Sequence, residues 1–149
     1  MTYWLAISNR DNWEIVKKEN IWGVAYRHRF SIEKVKKGDV VLFYVSSQKI
    51  DNANTPIIIT GVFEVLSSFY IDKKRIFLVP KTMDDEVFPY RIKLKPIKIF
   101  REPIEFKPIV RKMKFITNKK RWGGHIRGKA MRVIPEEDYK FIMTFSENR

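Results

Sequence analysis

The clearest pattern in the sequence is an alternation of apolar and polar positions over residues 88–95. The apolar positions are Phe88, Tyr90, Ile92 and Leu94, and Pro89 and three basic residues stand between and after them. A period of two is that of a β-strand, whose successive side chains point to opposite faces of a sheet. We therefore predict a strand with its apolar set in the core and its basic set on an open face, namely Arg91, Lys93 and Lys95.

Other apolar runs predict further strands. The β-branched and aromatic runs lie at residues 3–8, 40–46, 57–66, 75–80 and 130–134. Gly61 interrupts one of them, and a glycine within a strand favours a bulge or a close backbone approach. Pro96, Pro103 and Pro108 are expected to break the chain into short pieces after the alternating strand.

Short helices are predicted between these strands. Asn9 is a suitable N-cap for a helix over residues 10–19, with Asp11 in the first turn. One helical turn is expected at 31–35 and another short helix after Pro108, while Pro135 and three acidic residues open a C-terminal helix. Residues 21–24, 47–55 and 118–128 are predicted loops. This order favours one mixed α+β domain over residues 1–149.

The positive charge is concentrated in one part of the chain. The net charge is +13, and 15 of the 30 Lys and Arg residues lie between positions 91 and 132. That segment has only Glu102 and Glu105 as acids, which leaves 15 basic and 15 acidic residues elsewhere. One-sided basic charge attracts polyanions such as nucleic acid. The alternative is a solvated face without a partner.

Composition argues against several other classes. Without cysteine, and with only His28 and His125, no disulfide, metal site or cofactor is expected. No motif of a nucleophilic, phosphate-binding or zinc-dependent enzyme is present, so we expect a non-enzymatic protein. No signal peptide or membrane span is predicted, and we expect a cytoplasmic monomer.

A series of short segments runs through nearly the whole chain in a defined order. It comprises Tyr3-Trp4-Leu5 with Asn9, Asn12 and Trp13, then Trp22-Gly23-Val24, residues 38–44, 61–65 and 88–92, Arg121-Trp122-Gly123 and residues 132–134. This series resembles the EVE domain, a PUA-like family related to the YTH domains. The resemblance implies a small mixed β-barrel flanked by short helices, with a pocket beside the barrel. YTH domains hold a methylated adenine of RNA in an aromatic cage, and EVE domains are similar to readers of modified bases.

The resemblance, with the residue chemistry, indicates a base-binding pocket. A displaced base needs an aromatic surface for stacking and amides for its edge. The candidates are Asn9, Asn12, Trp22, Gly23, Tyr44, Ser46, Phe88, Pro89, Tyr90 and Trp122. Gly23 is expected to leave the Trp22 indole open. The simpler alternatives are an N-cap role for Asn9, a loop anchor at Trp22, core positions for Tyr44 and Tyr90, and a barrel-end cover at Trp122.

Basic residues are expected to hold the phosphate backbone. The candidates are Arg91, Lys93, Lys95, Lys119, Lys120, Arg121, Arg127 and Lys129. The hypothesis is a reader of RNA or DNA that holds one base, modified in the leading version, in the pocket. Two alternatives stay open, a small-molecule or nucleotide sensor that uses the same pocket and an enzyme that acts on nucleic acid.

Overall fold

A seven-stranded sheet forms the centre of the computed structural model, which describes residues 1–79 and 85–148. Its strand order is β2-β8-β6-β3-β1-β9, with β7 also paired to β8, and β4 and β5 form a separate hairpin. The strands are β1 (Tyr3–Ser8), β2 (Ile21–Val24), β3 (Val40–Val45), β4 (Lys49–Ile50), β5 (Ala53–Asn54), β6 (Ile58–Val65), β7 (Tyr70–Ile71), β8 (Tyr90–Glu105) and β9 (Met131–Ile134).

Three α-helices and three 3-10 segments of the described chain flank this sheet. The α-helices are α1 (Arg10–Glu19), α2 (Arg29–Glu33) and α3 (Glu136–Glu147), and the 3-10 segments are Tyr26–His28, Lys107–Lys112 and Trp122–His125. All residues of β3 are buried, because both faces of the sheet are covered. Trp13 of α1 packs on one face and Ile142 of α3 on the other. The predicted mixed α+β fold is confirmed.

The pairing of β1 with β3 brings two distant parts of the chain to the same place. These two strands are parallel, and Ser8 at the end of β1 is in register with Val45 at the end of β3. The carboxyl ends of parallel strands lie at the same edge of a sheet. Side chains that follow β1 and β3, although far apart in sequence, therefore meet at one edge.

Several local predictions are confirmed. Asn9 caps α1, since its Oδ1 accepts a hydrogen bond from the Asn12 backbone N–H at 2.8 Å. The register between β6 and β8 shifts around Gly61, where a Cβ atom would lie 3.0 Å from the Lys98 carbonyl oxygen. The predicted bulge is therefore present, and it lets β8 approach β6 closely.

Other local predictions are wrong. Residues 21–24 form β2 instead of a loop, because they pair with the start of β8. Residues 75–79 contain no strand, and Pro80 lies outside the described residues. β8 continues through Pro96 and Pro103. Beyond Lys93, the described part of β8 pairs with only one strand, β6. Its other edge has no strand partner there, so a proline costs no ladder hydrogen bond on that edge.

Asp138 has a role that helix electrostatics alone did not predict. Its buried carboxylate accepts the backbone N–H groups of Lys114 and Phe115 at 2.8 and 2.9 Å. The first turn of α3 thereby holds the segment that precedes the basic loop. Within residues 1–79 and 85–148, every helix is too short or too polar to span a bilayer.

Candidate nucleic-acid interface

A cavity of about 190 Å³ opens beside Trp22, where β1 ends and α1 begins. We call it the Trp22 pocket. Of the predicted base-pocket residues, it is lined by Asn9, Asn12, Trp22, Gly23 and Phe88. The structure adds wall residues that the sequence did not indicate, which are Ile7, Ser8, Val24, Ala25, Arg27, His28, Phe77 and Ala130.

Trp22 forms one wall of this pocket from within the core. Its side chain is 5% exposed, and its ring meets Phe43 edge-on with centroids 5.4 Å apart. The indole Nε1–H is buried and has no hydrogen-bond partner among the described residues. An unsatisfied buried donor costs about 1–3 kcal/mol, so a ligand acceptor that reached it would be favoured. Trp22 is therefore a strand residue that lines the pocket and has an unpaired buried donor, and it is not a loop anchor.

The two asparagines of the pocket are used differently. Asn9 is exposed, and its helix-capping bond occupies only the Oδ1 atom. The Asn12 amide is buried and bonds both backbone groups of Leu78, with Nδ2 donating to its carbonyl at 2.9 Å and Oδ1 accepting its N–H at 2.7 Å. Asn12 thus anchors the segment around Phe77 and Leu78 to helix α1. The amide nitrogen of Asn9, in contrast, is available to contact a ligand.

Arg91 lies in the interior, and its predicted place on an open face is wrong. Its side chain is 1% exposed. Its Nε donates to the Phe88 carbonyl at 3.0 Å, and Nη2 donates to the carbonyls of Lys74 and Val87. Nη1 lies 3.6 Å from the Asp72 carboxylate. The chain on either side of the undescribed residues folds over this face of β8, so Arg91 holds pocket walls and is not available to phosphate.

Gly23 is needed for close packing and not for an open indole face. A Cβ atom at this position would lie 2.7 Å from the Phe88 carbonyl oxygen and 2.8 Å from a ring carbon of Phe77. The Phe88 carbonyl cannot easily retreat, since Arg91 holds it. The glycine therefore allows both pocket-wall phenylalanines to approach β2.

We expect Gly23→Ala to lower the free energy of unfolding by about 1–3 kcal/mol, because overpacking displaces the walls. Chemical denaturation measures this change. Gly124→Ala is the matched control, since a Cβ atom there meets nothing within 4 Å. Equal midpoints for the two variants would contradict the packing role of Gly23.

Arg27 brings a positive charge to the pocket wall and His28 lines the same wall, although neither residue was predicted from the sequence. Burial lowers the pKa of His28, and the neighbouring Arg27 charge lowers it further. Arg27 Nε donates to His28 Nε2 at 3.1 Å, which requires that nitrogen to be unprotonated. Their position four and five residues after Gly23 was the available signal.

A second, larger cavity of about 800 Å³ adjoins the Trp22 pocket. We call it the basic groove. Its cationic lining residues are Lys107, Lys120, Arg121, Arg127 and Lys129, and its described walls contain no acidic side chain. The predicted cations Lys120, Arg121, Arg127 and Lys129 are thus brought together. Lys119 is instead directed to the Met113 carbonyl, to which its Nζ donates.

Three residues predicted for the base pocket line this groove instead, namely Tyr44, Ser46 and Trp122. Tyr44 is 4% exposed, and burial raises the pKa of its phenol to about 12. The Trp122 ring lies 5.7 Å from the Phe106 ring and is only half-buried. Trp122 therefore covers the core with one part and presents the rest to the groove.

The Trp22 pocket and the basic groove share one wall residue, Ile7 of β1. Ala130 lines the pocket and Lys129 lines the groove, and the Ile7 N–H donates to the Ala130 carbonyl at 2.9 Å. The two cavities follow the ends of the parallel strands β1 and β3. A small pocket therefore opens next to a cationic groove.

The remaining predicted residues lie away from both cavities. Lys93 and Lys95 are exposed on β8, as predicted. The Tyr90 ring stacks on Phe69 at 6.1 Å and lies 5.9 Å from the Tyr26 ring, and Pro89 bonds through its carbonyl to the Asp72 N–H. Neither Pro89 nor Tyr90 is among the described residues that line the pocket or the groove.

Known proteins are similar to this chain in sequence and in fold. The chain is 49% identical over 144 residues to a UPF0310 protein of Pyrococcus horikoshii, covering 95% of this chain and 97% of that protein. The structure resembles human THYN1 solved with DNA containing 5-methylcytosine (TM-score 0.65, 15% identity, 99% and 98% of the two chains). It also resembles the YTH domain of Zygosaccharomyces rouxii MRB1 solved with N6-methyladenosine RNA (TM-score 0.59, 13% identity, 97% and 86%).

These similarities extend over the whole sheet and its flanking helices. The two solved neighbours confirm the predicted PUA-like fold, and the profile of the EVE domain matches residues 2–145. The ordered series of segments from Tyr3 to Ile134 falls within that match. The chain therefore belongs to the EVE domain family.

Proposed function

We propose that this protein is a non-enzymatic reader of nucleic acid, in which residues 1–149 act as one binding domain. The Trp22 pocket receives one base that has left its stack, and the basic groove holds the phosphates next to it. Asn9 and the Trp22 Nε1–H contact the edge of the base, while Phe77, Phe88 and the indole enclose its faces.

The observation that carries this proposal is the small pocket joined to a large cationic groove. A cavity of about 150 Å³ can hold a benzene ring. The 190 Å³ pocket is therefore suited to one heterocycle with a small substituent. Pockets for drug-sized ligands are larger, about 300–1,000 Å³. A sugar and phosphate would lie outside the pocket, where the groove offers counter-charges.

The ligands of the structural neighbours support a modified base as the target. The THYN1 structure contains DNA with 5-methylcytosine, and the YTH structure contains RNA with N6-methyladenosine. A methyl group adds apolar surface, which aromatic walls favour over water. We propose a methylated base of DNA or RNA as the target here as well. A free-nucleotide sensor is less well supported, since the groove cations would have no polymer to contact.

Asn9→Ser tests the pocket with little effect on folding, because serine is as good an N-cap as asparagine. We expect the preference for the best base in a panel of methylated and unmodified oligonucleotides to fall about 2- to 10-fold, as for one lost hydrogen bond. Trp22→Phe, which removes the indole donor, should reduce it similarly. Fluorescence anisotropy at two salt concentrations measures these affinities.

Asn148→Ser, at the C-cap of α3, is the matched control and should leave all affinities unchanged. Equal binding of every oligonucleotide, unaffected by Asn9→Ser and Trp22→Phe, would refute the reader function. Salt-independent binding of a free nucleotide, as tight as that of the oligonucleotide, would favour the sensor. Turnover of labelled DNA or RNA would favour an enzyme.

A further inference from the structure

A row of aromatic and cationic side chains lies on the surface beside the Trp22 pocket, outside the pocket and the groove. We call it the aromatic row. Tyr26 and Phe30 are 59% and 61% exposed, which is unusual for such large apolar rings. The row consists of Phe69, Tyr90, Tyr26, Arg29 and Phe30.

Arg29 orders the exposed end of the row. Its guanidinium carbon lies 3.7 Å from the Tyr26 ring centroid and 4.3 Å from that of Phe30. Its Nη1 donates to the Tyr26 carbonyl at 3.0 Å. Within the described residues it has no carboxylate partner, so its positive charge remains available to an anion. The row is thus a preformed surface of ring faces and one cation.

The other end of the row is held by the sheet. Tyr90 at the start of β8 lies 5.9 Å from Tyr26 and stacks on Phe69 with an interplanar angle of 26°. Lys93, three residues along the same strand, holds its Nζ 5.8 Å from the Tyr70 ring centroid. Lys93 and Tyr70 lie on the opposite face of β8 from Tyr90, so Arg29 is the cation of the row.

The row begins where the pocket ends. Arg27 and His28 line the Trp22 pocket, and they lie in sequence between Tyr26 and Arg29 of the row. The basic groove adjoins the pocket at a different wall, through Ile7 and the Lys129-Ala130 segment. A strand with one base in the pocket would thus lie next to both the groove and the row.

We propose that the aromatic row stacks unpaired bases that flank the base in the pocket, so that the protein prefers targets with single-stranded flanks over continuous duplex. This inference rests on the proposed reader function. Aromatic faces interleaved with cations are the features that bind single strands without sequence preference, because every base has a π-face. Bases inside a duplex are already stacked and cannot use these rings.

The experiment compares two oligonucleotides with the same central target base, one with unpaired flanks and one with flanks annealed to a complement. We expect wild-type protein to bind the unpaired form more tightly. Phe30→Ala should weaken that binding roughly 5- to 150-fold, the range for one lost base stack, and leave the annealed form unchanged. Phe145→Ala, an exposed phenylalanine on α3, is the control.

A second readout does not depend on affinity. A 2-aminopurine placed next to the target base should lose fluorescence on binding wild-type protein and Phe145→Ala, because stacking quenches it, but not on binding Phe30→Ala. Thermal melts of each variant establish that it is folded. If Phe30→Ala and Tyr26→Ala both bind and quench like wild type, the row has no such role, even if the pocket reads a base.

The two proposals fail in different ways. If Asn9→Ser loses the preference for the target base but keeps the preference for unpaired flanks, both proposals are supported. A flank preference that Phe30→Ala removes, in a protein without any base preference, supports the row and refutes the pocket. Base preference without a flank preference refutes the row alone.

Discussion

Replacing Arg91 with methionine is expected to lower the free energy of unfolding by about 3–5 kcal/mol, the range for breaking a buried charged network. The guanidinium donates to the carbonyls of Lys74, Val87 and Phe88, and it also faces Asp72. Methionine fills similar space and donates nothing, so buried carbonyls lose their partner. Denaturation in urea measures the loss.

Arg91→Lys should also be destabilising, because an ammonium cannot reproduce the forked geometry of a guanidinium. Lys93→Met is the matched control on the same strand. Lys93 is exposed, and its substitution should change the unfolding free energy by no more than about 0.5 kcal/mol. If Arg91→Met were as stable as this control but bound nucleic acid more weakly, Arg91 would be a phosphate contact and not a structural residue.

Removing cations from the basic groove should give the largest loss of affinity. In the triple variant Lys120→Gln, Arg121→Gln and Lys129→Gln, three phosphate contacts disappear. Each contact contributes about 0.7 to the salt slope on a single strand. The slope of log affinity against log salt should therefore decrease by about 2, and the affinity at ~0.1 M salt should fall by about 100-fold. Titrations at several salt concentrations measure both quantities.

The matched control removes the same charge elsewhere, with Lys18→Gln, Lys36→Gln and Lys140→Gln. These lysines lie outside the groove and the aromatic row, and we expect a slope change well below that of the groove variant. An equal loss of affinity in the two triple variants would mean that net charge alone acts. The groove would then have no specific part in binding.

Local sequence patterns were sufficient for elements that depend on nearby residues. Asn9 caps α1 because its side chain reaches an N–H group only three positions away. Val40–Val45 is a buried strand because apolar residues on both of its faces leave no face for water. Gly61 allows a close approach that any other side chain would obstruct. In each case the side chain and its near neighbours in sequence are enough to predict the local structure.

The same local reasoning failed where a distant segment covers a surface. Arg91 follows the alternation of a strand with one open face, yet the segments around Lys74 and Val87 fold over that face and accept hydrogen bonds from its Nη2. Trp22 was assigned to a loop because its strand partner, Ile92, lies seventy positions away. Periodicity contains no information about what packs across a strand.

The sequence by itself determined the fold family, the mixed α+β class and the concentration of positive charge between residues 91 and 132. Only the tertiary structure decided which of those charges lie together in one groove. Parallel pairing of β1 with β3 brings Asn9 and Tyr44 to one edge of the sheet, and pairing of β2 with β8 places Trp22 in position. Trp22 and Asn9 then line one pocket, while Tyr44 and Trp122 line the basic groove. The reason is physical, because the wall of a cavity depends on which strands are neighbours in space.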